Sequence, residues 1–249
     1  MKPLCALLLL LAGGLSLRAV APQNPIGPDG KPVPVALTDD PYHSLLFEND
    51  YARVLEVAIP PQKTTLLHKH DHDFVTVELS DADVQFAFSG YALITRPAQL
   101  GDARFTHGPT VHHMRNPEGF NTYRNITVEI RKNSKQPYNY PLTGSSVADY
   151  NMLPVPVEPG KTYHVSVDRD TVRMSGVQMV GGESQSLSPG KGPLLIVAIT
   201  DLELSAVVDG EKKEVKLDRG EVRWDPAEFR YKLTNPGRIP ARFVALEFK

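Results

Sequence analysis

Two halves of this chain repeat one another, and that repeat limits the fold more than any other feature. Gly101-Asp102-Ala103-Arg104-Phe105 matches Gly220-Glu221-Val222-Arg223-Trp224. Asn116-Pro117 matches Asn235-Pro236 at the same offset of about 119 residues. Leu79-Ser80-Asp81 pairs with Ile199-Thr200-Asp201, one residue further apart, and Val128-Glu129-Ile130 pairs with Leu246-Glu247-Phe248, one residue closer. A near-constant offset over several segments indicates one duplicated domain. The repeated material is β-rich. The runs 54–59, 74–79, 84–88 and 125–130 carry it in the first half, and 163–167, 172–180, 194–200, 202–208 and 243–248 in the second. Turns rich in Asn, Asp, Pro and Gly separate these runs, as in an all-β sandwich or barrel.

Proline marks the ends of the repeats. Pro22, Pro25, Pro28, Pro32, Pro34 and Pro41 make residues 22–41 an extended arm. Pro137, Pro141, Pro154, Pro156 and Pro159 mark a connecting stretch, 133–160. The expected division is an arm at 22–41, a first barrel at 42–132, a Pro-rich linker at 133–160 and a second barrel at 161–249. Residues 1–21 read as an export signal, with Lys2, the apolar run 4–11 and the small-residue pattern Ala19-Val20-Ala21. The apolar run is shorter than the roughly 20 residues that a membrane span needs. The mature chain is therefore expected in the periplasm or outside the cell, free of the membrane. Its oligomeric state is not legible in the sequence. Net charge is −2, which gives no footprint for nucleic acid. Cys5 is the only cysteine and lies in the signal, so disulfides and thiolate ligands are excluded from the mature chain.

The chain has 8 histidines, and His68, His70, His72, His107, His112 and His113 lie close together in sequence. On a strand, alternate side chains share a face. His68, His70 and His72 are thus expected on one face, and Lys69 with the solvated Asp71 and Asp73 on the other. Val75, Val77 and Leu79 continue as a buried set, a change of phase that predicts a bulge or bend between His72 and Val75. Imidazole suits Fe, Mn, Zn, Cu and Ni. Two histidines of the strand plus His112 or His113 from a distant segment make a candidate site for a divalent transition metal.

His68-x-His70 followed by Gly101 to Asn116 resembles the two motifs of the cupin superfamily. The first runs G-x5-H-x-H-x3,4-E-x6-G and the second G-x5-P-x-G-x2-H-x3-N. Gly101, His112 and Asn116 fall on the second motif, which favours His112 over His113. The resemblance implies a small jelly-roll-like β-barrel in each half, a tandem cupin or bicupin. The chain departs from the motifs at several places. The glutamate of the first motif falls at Phe74 or Val75, and His107 and Pro109 stand where the second has proline and glycine. Glu78 reaches the site only if His70 and His72 are the pair. His68, His70 and His112 are therefore the first choice of ligands, with His72, Glu78 and His113 as further candidates.

The repeat offset sets Ser188, Gly190 and Gly192 against His68, His70 and His72, and Tyr231 against His112. Gly220, Pro226 and Asn235 still match the second motif, so the second barrel is expected to keep the scaffold without the site. His43 is read as a packing or surface residue, Trp224 as core, and Arg115 and Arg124 as surface. The sequon Asn125-Ile126-Thr127 lies in a predicted strand. A metal with three protein ligands leaves positions open for a small-molecule substrate and for water or dioxygen. The resemblance implies dioxygenase or isomerase chemistry, with Glu78 the first carboxylate to test as a base. The alternative is a non-catalytic exported protein that binds a small molecule or a metal.

Overall fold

A computed structural model of the chain describes residues 23–88, 93–117, 119–136, 163–187, 192–208, 210–226 and 231–249. Residues 1–21, read above as an export signal, most of the expected linker, Ser188 and Gly190 lie outside the described residues. In the first half the strands are β1 (Val35–Ala36), β2 (His43–Glu48), β3 (Ala52–Ile59), β4 (His68–His70) and β5 (Phe74–Glu78). They continue with β6 (Ala82–Phe88), β7 (Ile94–Ala98), β8 (Ala103–Thr106), β9 (Thr110–Arg115) and β10 (Tyr123–Ile130). The second half has β11 (Tyr163–Asp168), β12 (Val172–Met179), β13 (Ser184–Leu187), β14 (Leu194–Ala198) and β15 (Leu202–Val208). It closes with β16 (Glu211–Leu217), β17 (Val222–Asp225), β18 (Tyr231–Thr234) and β19 (Ala241–Phe248). Each half is a pair of sheets. The orders are β1-β4-β9-β6-β7 with β2-β3-β10-β5-β8, and β13-β18-β15-β16 with β11-β12-β19-β14-β17. This is the all-β tandem arrangement that the repeat predicts.

The two halves meet through β2-β3-β10-β5-β8 and β11-β12-β19-β14-β17. Val54, Val75, Val77, Ile126 and Val128 form one buried cluster with Val172, Met174, Leu195, Val197 and Val244. Burial of this apolar surface stabilises the pair at about 25 cal/mol per Å². It also explains the phase change after His72. Val75 and Val77 face the other half, while Phe74 and Thr76 line the interior of their own barrel. A bend at His72 makes this change. The chain leaves β4 in one sheet and enters β5 in the other. Trp224 packs at the seam, 5.6 Å from the Phe47 ring and 5.3 Å from the Phe248 ring.

The repeated glycines are explained at the same seam. Gly101 and Gly220 have φ of +89° and +88°, which side chains rarely adopt. A Cβ on Gly101 would lie 3.0 Å from Ile199, and one on Gly220 would lie 3.0 Å from Leu79. Each glycine therefore lets its turn touch the other half, and Leu79 and Ile199 are themselves a repeat pair.

The proline-rich arm is packed against the first barrel. Val35 and Ala36 pair in parallel with His68 and Lys69. The Asn24 side chain accepts from the Leu67 N–H at 2.8 Å and donates to the Leu67 carbonyl at 2.7 Å. The arm thus clamps the histidine strand.

Candidate metal centre

β4 and β9 are antiparallel neighbours with His68 opposite His112. The buried positions of β9 are Thr110, His112 and Met114. Strand alternation therefore turns His112 inward with His68 and His70, and turns His113 to the other face. The rings of His68, His70 and His112 have centroids 4.7–5.4 Å apart. Each offers a nitrogen within 4.8 Å of the others, and all three residues are buried.

The nitrogens are set up to receive a cation. His68 Nδ1 donates to the Leu66 carbonyl at 2.9 Å, which leaves Nε2 with its lone pair, buried and unpartnered. Both nitrogens of His112 are buried without a hydrogen-bond partner. Buried polar atoms are nearly always satisfied, so these orphaned lone pairs fit a metal ion. Burial holds His68 and His112 well below the usual imidazole range, and neighbouring imidazoles push the same way. Burial also lowers His70, against the opposing pull of Glu129. Neutral imidazole is the form that ligates.

The supporting groups were not legible as such. Asp40, in the arm, has Oδ2 2.5 Å from the Leu66 N–H and Oδ1 accepting from Tyr42 N–H and His43 Nδ1 at 2.9 and 3.0 Å. Asp40 therefore fixes the turn whose carbonyl fixes His68. His43 is buried beside His68, 4.7 Å between ring centroids, and is no surface residue. Glu129 lies behind His70, with Oε1 3.3 Å from Nδ1 but off the hydrogen-bond direction. Its Oε2 accepts from Arg53 Nη1 at 3.0 Å. A charged residue kept in an apolar strand in both repeats was the available signal for Glu129. No comparable signal marked Asp40.

Other expected residues lie elsewhere. His72 is partly exposed, with Nδ1 3.1 Å from Asn133 Oδ1. His113 is half-buried on the outer face. Glu78 is fully buried, 3.0 Å from Arg96 Nη2 through Oε1, and does not join the histidines. The Tyr123 hydroxyl, which accepts from Asn125 Nδ2 at 2.8 Å, faces the same carboxylate. Burial raises the Glu78 carboxyl and the Arg96 charge opposes that rise. Asp73, expected in solvent, is buried because Oδ1 accepts from His107 Nδ1 at 2.7 Å and from Gly108 N–H at 3.1 Å. Arg124 pairs with Glu56. Phe74 stands at the place of the motif glutamate and stacks on His70, with centroids 3.9 Å apart.

A narrow cavity opens beside His70 and His112, walled by Phe74, Phe86, Phe88, Met114, Arg96 and Arg104. Its free volume is about 20 Å³, room for about one water.

In the second half the same strand register holds other residues. β13 and β18 set Leu187 opposite Tyr231, as β4 and β9 set His68 opposite His112. The counterpart of His68 is therefore the buried Leu187 rather than Ser188.

Two barrel-like halves, one with a three-histidine pocket, define a tandem cupin-fold protein. No family profile matches the sequence, and no curated protein matches it. Solved structures do. AerE from Microcystis aeruginosa superposes with a TM-score of 0.56 at 14% identity, over 84% of this chain and 98% of that one. Salicylate 1,2-dioxygenase from Pseudaminobacter salicylatoxidans gives 0.54 at 13% identity, over 83% and 76%. A cupin 2 conserved barrel domain protein from Leptotrichia buccalis gives 0.54 at 12% identity, over 87% and 92%. A variant of the dioxygenase is known in complex with gentisate. At these identities the likeness is one of fold, and the fold is the one that the two motifs imply.

Proposed function

We propose that this chain is an exported, metal-dependent cupin enzyme that acts on a small organic molecule. His68, His70 and His112 hold a divalent transition metal. The observation that carries the reading is the buried, unpartnered lone pairs of His68 and His112 beside His70. Such a metal polarises a substrate oxygen and supports redox chemistry. Asp40 holds the His68 ring in place through the Leu66 turn, the Glu129 carboxylate stands behind His70, and Phe74, Phe86 and Phe88 keep bulk water out. The dioxygenase and isomerase classes both fit a metal with open positions. The signal-like pattern of residues 1–21 supports a periplasmic or extracellular location.

A non-catalytic metal or small-molecule binder is the second reading, favoured by Phe74 standing where the first motif has its carboxylate. Elemental analysis of the purified mature protein comes first, beside His70→Ala. About one metal per chain in the wild type and a loss of most of it in the variant is expected. A metal-free wild type after metal-replete growth overturns the reading. Oxygen uptake with small phenolic and carboxylate substrates then separates dioxygenase from isomerase or binder.

A further inference from the structure

The two barrels treat the first histidine strand and its counterpart differently. β13 is the outermost strand of its sheet, and among the described residues no strand pairs along its free side. Its residues Ser184 and Ser186 are exposed, and only Leu187 is buried. β4 holds the same place beside β9 but is not at the edge, because the arm lays β1 along it. Pairing with an arm is therefore no requirement of the barrel fold. It is added where the histidines are.

The attachment consists of hydrogen bonds rather than buried hydrocarbon. Of residues 23–40 only Leu37 and Asp40 are buried, and Ile26 and Val33 are 66% and 42% exposed. The Val35 N–H donates to the Leu67 carbonyl at 2.9 Å. The Asn24 side chain takes both polar groups of Leu67, and the Asp40 carboxylate takes the Leu66 N–H. These bonds converge on Leu66 and Leu67, the two residues before His68. The Leu66 carbonyl is also the acceptor that sets the His68 ring. β4 itself has 3 residues, so its order leans on both neighbours. A segment with so little buried apolar surface lies at the low end of local stability. Its docking is thus an equilibrium that a ligand can shift.

We propose that residues 24–40 are a strap coupled to the metal centre. The docked arm strengthens metal binding by His68, His70 and His112, and the arm is held down more firmly when metal is bound. This rests on the metal reading above. The path runs from His68 Nε2, the atom left for the metal, through Nδ1 to the Leu66 carbonyl. From there it reaches the Leu66 and Leu67 groups that Asp40, Asn24 and Val35 bind. Coupling of this kind is reciprocal, so one factor describes both directions.

The test is hydrogen–deuterium exchange of the full mature protein, metal-free and saturated with zinc(II), with zinc content measured beforehand. Zinc is expected to slow exchange of the Val35 N–H at least about tenfold and to leave the amides of β13 as they were. The paired substitution Asn24→Ala with Val35→Pro removes arm bonds without touching a histidine or Asp40. It is expected to weaken zinc binding by about the same factor in a chelator competition, while the fluorescence of Trp224 at the seam stays unchanged. Val35 exchange that zinc does not slow, with zinc bound, overturns the proposal and leaves the metal reading standing. A folded double variant with wild-type zinc affinity overturns it as well. If the double variant does not fold, exchange in the wild type decides alone. If the wild type takes up no zinc, the metal reading falls and the coupling falls with it.

Discussion

At matching positions of the paired strands the first barrel has Thr76 opposite Thr127 and Glu78 opposite Asn125. The second has Ile196 opposite Ala245 and Ala198 opposite Phe243. The second interior is hydrocarbon throughout its main cluster, from Val177 and Met179 to Leu233 and Phe243. The first mixes a smaller apolar cluster with buried His, Glu and Arg. One backbone register thus serves two kinds of interior. A hydrocarbon core needs only volume and shape, whereas each polar group inside needs a partner. That is why the polar barrel also contains Asp40, Arg96 and Glu129, and why its site is tied to the arm. Behind this difference a common element survives. Glu48–Arg53–Glu129 in the first barrel matches Asp168–Arg173–Glu247 in the second. Only in the first does a histidine lie in front of the acid.

The sharpest way to break this contrast is to put one barrel's polar group into the other. Ala198→Glu sets a carboxylate at the place of Glu78, where the buried Val215 stands in the place of Arg96. It is expected to cost more than about 3 kcal/mol in urea unfolding. A cost below about 1 kcal/mol would mean that the second interior is not the closed hydrocarbon core described here.

The conserved acids should separate by function. Glu129→Gln is expected to weaken metal binding by about tenfold to a hundredfold in a chelator competition. Glu247→Gln, with no histidine beside it, should leave metal affinity where it was. Equal effects would remove Glu129 from the support of His70.

The seam, by contrast, should treat the halves alike. Gly101→Ala and Gly220→Ala each force a left-handed backbone on a side chain and press a Cβ on the other half. Each is expected to cost about 1 kcal/mol or a little more in chemical denaturation. A loss at only one of them would show that the two turns are not equivalent.

A further effect is in pH. His68 and His112 are held well below their usual range by burial and by neighbouring imidazoles. Below about pH 6.5 the unfolded chain takes up protons there that the folded, metal-free chain refuses. Stability therefore falls as pH drops from about 7 toward 5. Scanning calorimetry of chelator-treated protein should show that fall, and His112→Leu should reduce it. The same slope in His112→Leu would assign the fall to other groups.

The preference for His112 over His113 came only from the resemblance to the second motif, whereas the sequence by itself determined the all-β class, the duplication and the strands with clear alternation. These follow from local patterns, the period of two along a strand and a repeated offset. It also held the asymmetry, since the second half has no histidine at the matching positions. It did not hold the strand β16, whose Glu-Lys-Lys-Glu start is polar and lies at a sheet edge. Nor did it show which apolar face meets which. Val75 and Val77 were legible as buried, but only the packed pair of barrels decided that they face the other half. Asp40, His43, Arg96 and Glu129 come from four separate strands and loops. Their roles exist only where burial takes water away from them and leaves each dependent on the others. That dependence is a property of the interior, formed when distant segments meet, and no local stretch of the chain encodes it alone.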